Sequence, residues 1–284
     1  MNEIALPGLE ATDLLPRLRP DGLLYHYTSL AGFLGILTTT RVWASSIHYL
    51  NDSAEFAYTI CLAKRAIEQL VREQPARQEI LESLLPQLQS IQRVNIFVFS
   101  LSELPDLLSQ WRAYSPKAGG LSIAFDLEVL ESCFRSQGFR LAECIYDPAA
   151  QYRVIHTLLA RELERSKDGY WFSKRNLRVF VEELLAVAPL LKDPGFSEER
   201  EWRLVSDLTN IDHPQVRFRV TDSTIVPYFD LSVADQDGKL PIRMVVVGPS
   251  PHSQATASSV SSLLGRHATG KWFVKPSSVP YRVW

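Results

Sequence analysis

Four short segments gather residues whose types can bind a polar ligand or move a proton. The most suggestive is Phe196-Ser197-Glu198-Glu199-Arg200-Glu201-Trp202-Arg203. If it is extended, Glu199, Glu201 and Arg203 share one face, because side chains alternate along a strand. Two carboxylates about 7 Å apart repel each other, which raises at least one pKa. Arg203 offsets that effect. The alternative is a solvated strand edge carrying one ion pair.

A second segment is Tyr25-His26-Tyr27-Thr28. A histidine at a strand end can hydrogen-bond a ligand hydroxyl, and the peptide of Tyr27 can pair with an amide. The alternative is an imidazole satisfied by neighbouring backbone. A third stretch holds Trp43, Ser45, Tyr49, Asn51, Asp52 and Glu55, which reads either as a polar site or as a loop leading into a helix cap. The fourth is Ser100-Leu101-Ser102, followed by Trp111 and Tyr114. Alternation puts both hydroxyls on one side, where they brace a carboxylate or form a plain turn.

The elements that must position these residues read as follows. Residues 1–22 form an irregular lead-in, interrupted by Pro7, Pro16 and Pro20. A strand is expected over Leu23 to Thr28, a short amphipathic helix over Leu30 to Thr39, and a strand over Val42 to Ser46. Asp52 with Glu55 resembles a capping box. It starts a helix that Pro75 ends, and a second helix is kinked at Pro86. Strands are predicted at Val94 to Ser100 and Leu121 to Phe125, with a helix over Asp106 to Tyr114 between them. Two helices occupy residues 150–190. Strands follow at Glu201 to Val205, Val216 to Val220, Ile225 to Leu231 and Ile242 to Val247. A helix across 253–265 and a strand near 272–283 close the chain. Gly248 is expected to end a strand in a Gly-Pro turn.

This order implies a single α+β domain over residues 23–284. Its helical insertions fall at 53–92 and 150–190. Of the 284 residues, 46% are hydrophobic and 22% charged, enough for a real core. The formal charge of −2 supplies no general attraction for a phosphate backbone. Cys61, Cys133 and Cys144 show no metal-ligand spacing and are odd in number. They fit a reducing cytoplasm. No apolar run is long enough for a membrane helix. A metal-dependent hydrolase built on His26, Asp52 and Glu55 lacks a His-x-x-x-His or carboxylate ladder to support it, so no metal is expected. Nothing indicates an oligomeric state.

The ordered set of pieces resembles a bacterial family of domains of unknown function, family 2971. The pieces are Tyr25-His26-Tyr27-Thr28-Ser29 with Ile36-Leu37, Leu50-Asn51-Asp52 with Glu55, and Ser100 with Trp111 and Tyr114. They continue with Lys192, Phe196, Glu199, Glu201-Trp202-Arg203, Pro227-Tyr228, Val247-Gly248-Pro249 and Pro280-Tyr281-Arg282. More distantly, His26-Tyr27-Thr28 with Phe33-Leu34-Gly35-Ile36-Leu37 is similar to the opening motif of ADP-ribosyltransferases of the His-Tyr-Glu type.

That second resemblance implies a mixed, mostly antiparallel split sheet flanked by helices. It also implies a transferase, or an NAD glycohydrolase, that consumes NAD. His26, Tyr27, Thr28, Trp43, Tyr49, Ser100 and Ser102 would bind NAD, with Glu201 and Glu199 catalytic. Asn51, Asp52, Glu55, Trp111, Tyr114 and Arg203 are further candidates. The acceptor is a protein, a nucleic acid or a small molecule. The competing expectation is a non-catalytic module of the same fold that binds a nucleotide or a protein.

Overall fold

The computed structural model describes residues 22–50, 55–90, 95–115, 119–165, 174–221 and 223–281. The expected lead-in up to residue 21, the cap residues Asn51 and Asp52, and Arg282 lie outside them.

The chain opens with strand β1 (Tyr25–Ser29), helix α1 (Leu30–Thr39) and strand β2 (Arg41–Ser46). The junctions are set locally. The Ser29 hydroxyl accepts from the Gly32 amide and caps α1, which Thr40 ends in a left-handed conformation with φ of 54°. Helix α2 (Glu55–Glu73) then runs on one apolar face through Phe56, Ile60, Ala63, Ile67 and Leu70. The kink expected at Pro86 is a full break: α3 (Gln78–Ser83) ends before α4 (Leu85–Ser90) begins. A proline in the first turn of a new helix gives up no bond the helix could use.

Strand β3 (Phe97–Ser102), helix α5 (Leu108–Tyr114) and strand β4 (Gly120–Phe125) follow. Helix α6 (Leu127–Arg135) and strand β5 (Phe139–Glu143) have no counterpart in the sequence reading. Asp126 starts α6, accepting from Glu128 and Val129 amides at 3.1 and 3.2 Å. Helices α7 (Pro148–Arg165) and α8 (Lys174–Val187) precede β6 (Glu201–Ser206), β7 (Val216–Val220), β8 (Ile225–Ser232) and β9 (Ile242–Val247). Helix α9 (Ser253–His267) and β10 (Phe273–Pro276) complete the fold.

The result is one large, open sheet in an α+β domain, antiparallel except where β10 joins β9. Its centre is β3. Strand β6 pairs along one edge, from Val98↔Val205 to Ser102↔Glu201. The opposite edge is shared: β2 takes Phe97 and Val98, whereas β1 meets it only at Tyr25↔Ser102. Strands β1 and β2 therefore diverge from β3. The β4, β9 and β10 arm extends from β1, and the β8 and β7 arm from β2.

Each face has its own core. Phe99, Leu101, Trp202 and Leu204 point to the side where α1, α6 and α9 pack. On the other side, Val98 and Val205 join a core formed by both helical insertions together: α2, α3 and α4 from the first, α7 and α8 from the second. Segments far apart in sequence thus make one layer over the middle of the sheet. At roughly 1.5–3 kcal/mol per buried large aliphatic side chain, neither insertion could leave that face uncovered.

Candidate functional site

Three neighbouring strands carry the central candidates. Register places Tyr25, Ser102 and Glu201 in one row across β1, β3 and β6, with Ser100 opposite Arg203 in the next. Directly paired residues project to the same face.

Glu201 is buried there as an ion pair with Arg203. The guanidinium binds both of its oxygens, Nε to Oε1 and Nη2 to Oε2, each at 2.8 Å. The Lys192 ammonium donates to Oε2 at 2.6 Å and also to Glu199. Arg203 is fixed in turn by the Pro189 carbonyl at 2.7 Å. Phe196 lies 5.1 Å from the Lys192 ammonium, a cation–π contact. Two carboxylates and two cations make the four side chains formally neutral.

The expected consequence of Glu-x-Glu is reversed. Burial alone raises the Glu201 pKa, but Arg203 and Lys192 outweigh it and hold the carboxyl near about 2. The geometry behind the expectation differs too. Glu199 is not on the strand: it closes a 3₁₀ turn over Pro194–Glu199, and Arg200 takes a left-handed φ of 41°. This redirects the chain just before β6, so Glu199 reaches Lys192 from a turn. Its side chain is 21% exposed against 7% for Glu201, making it the more accessible carboxylate.

Tyr114, at the end of α5, sits beside this cluster. Burial, then the charges of Glu201 and Glu199, push its phenol up to about 12. Ser102 braces the turn: its hydroxyl donates to the Glu199 carbonyl at 2.7 Å and accepts from the Leu104 amide at 3.0 Å. The brace acts on Glu199 through backbone. The Glu201 amide donates to the Tyr146 hydroxyl at 3.0 Å.

His26 occupies the divergence between β1 and β2. Its Nδ1 lies 3.0 Å from the Ser100 carbonyl, an oxygen at the stretch of β3 that neither neighbour covers. Its ring stacks on Phe99 with centroids 4.3 Å apart. Burial, opposed by the bond to the Ser100 carbonyl and aided by the charge of Arg219, lowers its pKa to about 4. The imidazole is therefore neutral at pH 7. With Nδ1–H donated to a carbonyl, Nε2 is left as an acceptor. By alternation, Phe99 and Glu201 belong to opposite faces. The gap in the sheet is where the two faces meet: Arg219, which bonds Ser45 on the Glu201 side, is close enough to act on His26.

The remaining candidates divide clearly. Tyr27 is buried; its hydroxyl donates to the Leu104 carbonyl at 2.6 Å and accepts from the Leu107 amide at 3.0 Å, holding the loop ahead of α5. Thr28 pairs with Leu121 in β4. Trp111 is fully buried, stacked edge-on against Tyr27 and donating to Asp106 at 2.7 Å. Gly248 leaves no room for ligand: a Cβ would stand 3.0 Å from the Gly120 carbonyl and from the Trp111 ring. Trp43 is 47% exposed on β2. Tyr49 is exposed in a 3₁₀ turn over Ile47–Tyr49, and Glu55 is the first residue of α2.

Sequence reasoning assigned no role to Lys192, Asp106 or Arg219. The signal for Lys192 was present: a lone lysine directly after the buried Leu190-Leu191, seven residues before Glu199. Among the described residues, no group of three or more His, Cys, Asp or Glu side chains is arranged to hold a metal ion. Nor is any helix long and apolar enough to cross a membrane.

Residues 110–204 match the model of a family described as a protein of unknown function, DUF2971. The family resemblance read from the ordered motifs therefore holds over this stretch. It runs from α5 into β6 and contains Tyr114, Lys192, Glu199, Glu201 and Arg203. No curated protein and no solved structure matches the chain.

Proposed function

We propose that the chain transfers ADP-ribose from NAD to an acceptor, with His26 holding the adenosine ribose where β1 and β2 part beside β3, and Glu201 holding the reacting nicotinamide ribose. The observation carrying this reading is the position of a neutral, half-buried His26 in that gap, with an ionised Glu201 on the strand flanking the other edge of β3. Nε2 of His26 suits a ribose hydroxyl as donor. Glu201 stays charged at any physiological pH and keeps spare acceptor capacity on Oε1. In the reaction, the bond between C1′ and the nicotinamide nitrogen breaks and its electron pair leaves with neutral nicotinamide. A fixed carboxylate stabilises the resulting oxocarbenium-like charge. The acceptor's lone pair then bonds C1′, and Glu199, the more open carboxylate, takes the acceptor's proton.

The test is nicotinamide release from NAD, followed with label transfer to lysate fractions. Glu201→Gln should slow release by about 10²–10³-fold. Glu199→Gln should lose transfer while retaining hydrolysis. Melting curves of both variants separate catalytic loss from unfolding. Wild-type protein that leaves NAD intact, or a folded Glu201→Gln protein as fast as wild type, removes the proposal.

One observation favours a second reading, a nucleotide-binding module without turnover. Both Glu201 oxygens are already engaged by Arg203 and Lys192. Such a module would show a thermal shift with NAD, ATP or ADP-ribose and no nicotinamide release.

A further inference from the structure

The arm formed by β2, β8 and β7 carries an open surface that the reaction above does not use. Register aligns Trp43 with Asp230, and Ser45 with Tyr228 and then Arg217, so these side chains share a face. Arg219 belongs to the same face, two residues along β7. Neither β7 nor β8 contributes a residue to the helical core that covers β3 and β6 on this side. At its centre, Trp43 packs on Tyr228 with centroids 4.7 Å apart, and the Arg219 guanidinium lies 5.4 Å above the indole. Arg41 and Arg217 both pair with Asp230, at 2.8 and 3.3 Å. Among the described residues Arg219 has no carboxylate partner: its Nη2 donates to the Ser45 hydroxyl at 2.9 Å, and its buried Nε has no hydrogen-bond partner. Among the described residues, three arginines thus stand against one aspartate around a half-exposed tryptophan.

We infer that this face binds a single strand of nucleic acid, one base stacking on Trp43 and the adjoining phosphates meeting Arg217 and Arg219. An exposed aromatic plane flanked by guanidinium groups recognises a base of any sequence together with its backbone charge. A strand is favoured over a free nucleotide because the indole is 47% exposed on a sheet strand, with Arg217 exposed one strand beyond Tyr228, so base and backbone contacts are spread along the face. The charge is local. The chain as a whole has a formal charge of −2, so the cationic excess here is not a general basicity. The inference holds whether or not NAD is turned over.

Fluorescence anisotropy of labelled single-stranded DNA and RNA of about 12 nucleotides, a length matched to typical single-strand footprints, tests it. Binding should weaken steeply with salt. Trp43→Ala should weaken it about tenfold while Trp43→Phe, which keeps an aromatic face, largely preserves it. Arg219→Gln should lower the slope against log salt by about one. Absence of binding at low salt overturns the inference. So does equal binding by Trp43→Ala, or by a poly-glutamate peptide of matched length, since either would mean charge attraction without base recognition.

Discussion

Lys192 reaches Glu201 at 2.6 Å from a segment immediately after the second helical insertion, so the helical layer and the sheet are joined by a buried ion pair. Both partners are buried, Lys192 at 5% and Glu201 at 6% exposure, and in such a setting removing one partner is far more damaging than the pair's net stabilisation suggests.

The acid sensitivity of the fold should follow from this. Glu201 has a folded pKa depressed to about 2 against an ordinary value of 4.5. In that interval the unfolded chain binds the proton and the folded one does not. The contribution is therefore complete above pH 4.5 and lost as pH falls toward 2. It amounts to on the order of 3 kcal/mol. Denaturant titrations at neutral pH and near pH 3 should show this loss in wild type. Glu201→Gln should be weaker at neutral pH, by about 3–5 kcal/mol, with a flatter dependence between the two.

His26 should titrate unusually low. Its folded pKa is about 4, and an exposed histidine sits near 6.5. Its stabilising contribution is present above pH 6.5 and is lost as pH drops toward 4. Imidazole nitrogen shifts in NMR should report a neutral ring with the proton on Nδ1 through pH 6. A midpoint near 6.5, or a proton on Nε2, would mean the imidazole does not donate to the Ser100 carbonyl.

Asp106 should secure the end of the chain. It accepts from Trp111 Nε1 at 2.7 Å, from the Ser278 amide at 2.7 Å and from the Ser278 hydroxyl at 2.9 Å, with Ser277 as a further donor. Burial opposes its charge, yet these donors keep its carboxyl below the usual range. Asp106→Asn keeps the size but loses charge and acceptor capacity, at on the order of 2–3 kcal/mol. The Ser278 amide should then exchange with deuterium much faster, and protease should cut after β10. Unchanged exchange would show that the segment is held elsewhere.

Much of this architecture was legible beforehand. Leu30–Thr39, Val216–Val220 and Ile242–Val247 match expectation residue for residue, because periodicity and capping are local properties. The stretch from 127 to 143 was not, since α6 is short and β5 has a mixed pattern that only pairing with β6 makes a strand. Extending Glu199 into β6 failed for a backbone reason: a left-handed arginine has no signature in composition. Motif order ran through His26, Ser100 and Glu201, which fall on the neighbouring strands β1, β3 and β6, but it did not show that the imidazole stacks on Phe99 while Glu201 projects from the opposite face. The clamp of Lys192 on Glu201 depends on how the helical layer meets the sheet and is not written in any short segment.

Strand β3 has a kinetic consequence. Its partners begin at residues 25, 41 and 201, and even β2, the strand before it in the chain, is separated from it by the first helical insertion. Every hydrogen bond along its edges therefore closes a long loop. Chains dominated by such non-local pairings fold slowly. The hub of the sheet should consequently be among the last parts to gain protection during refolding, after local units such as the β7–β8 hairpin are already in place.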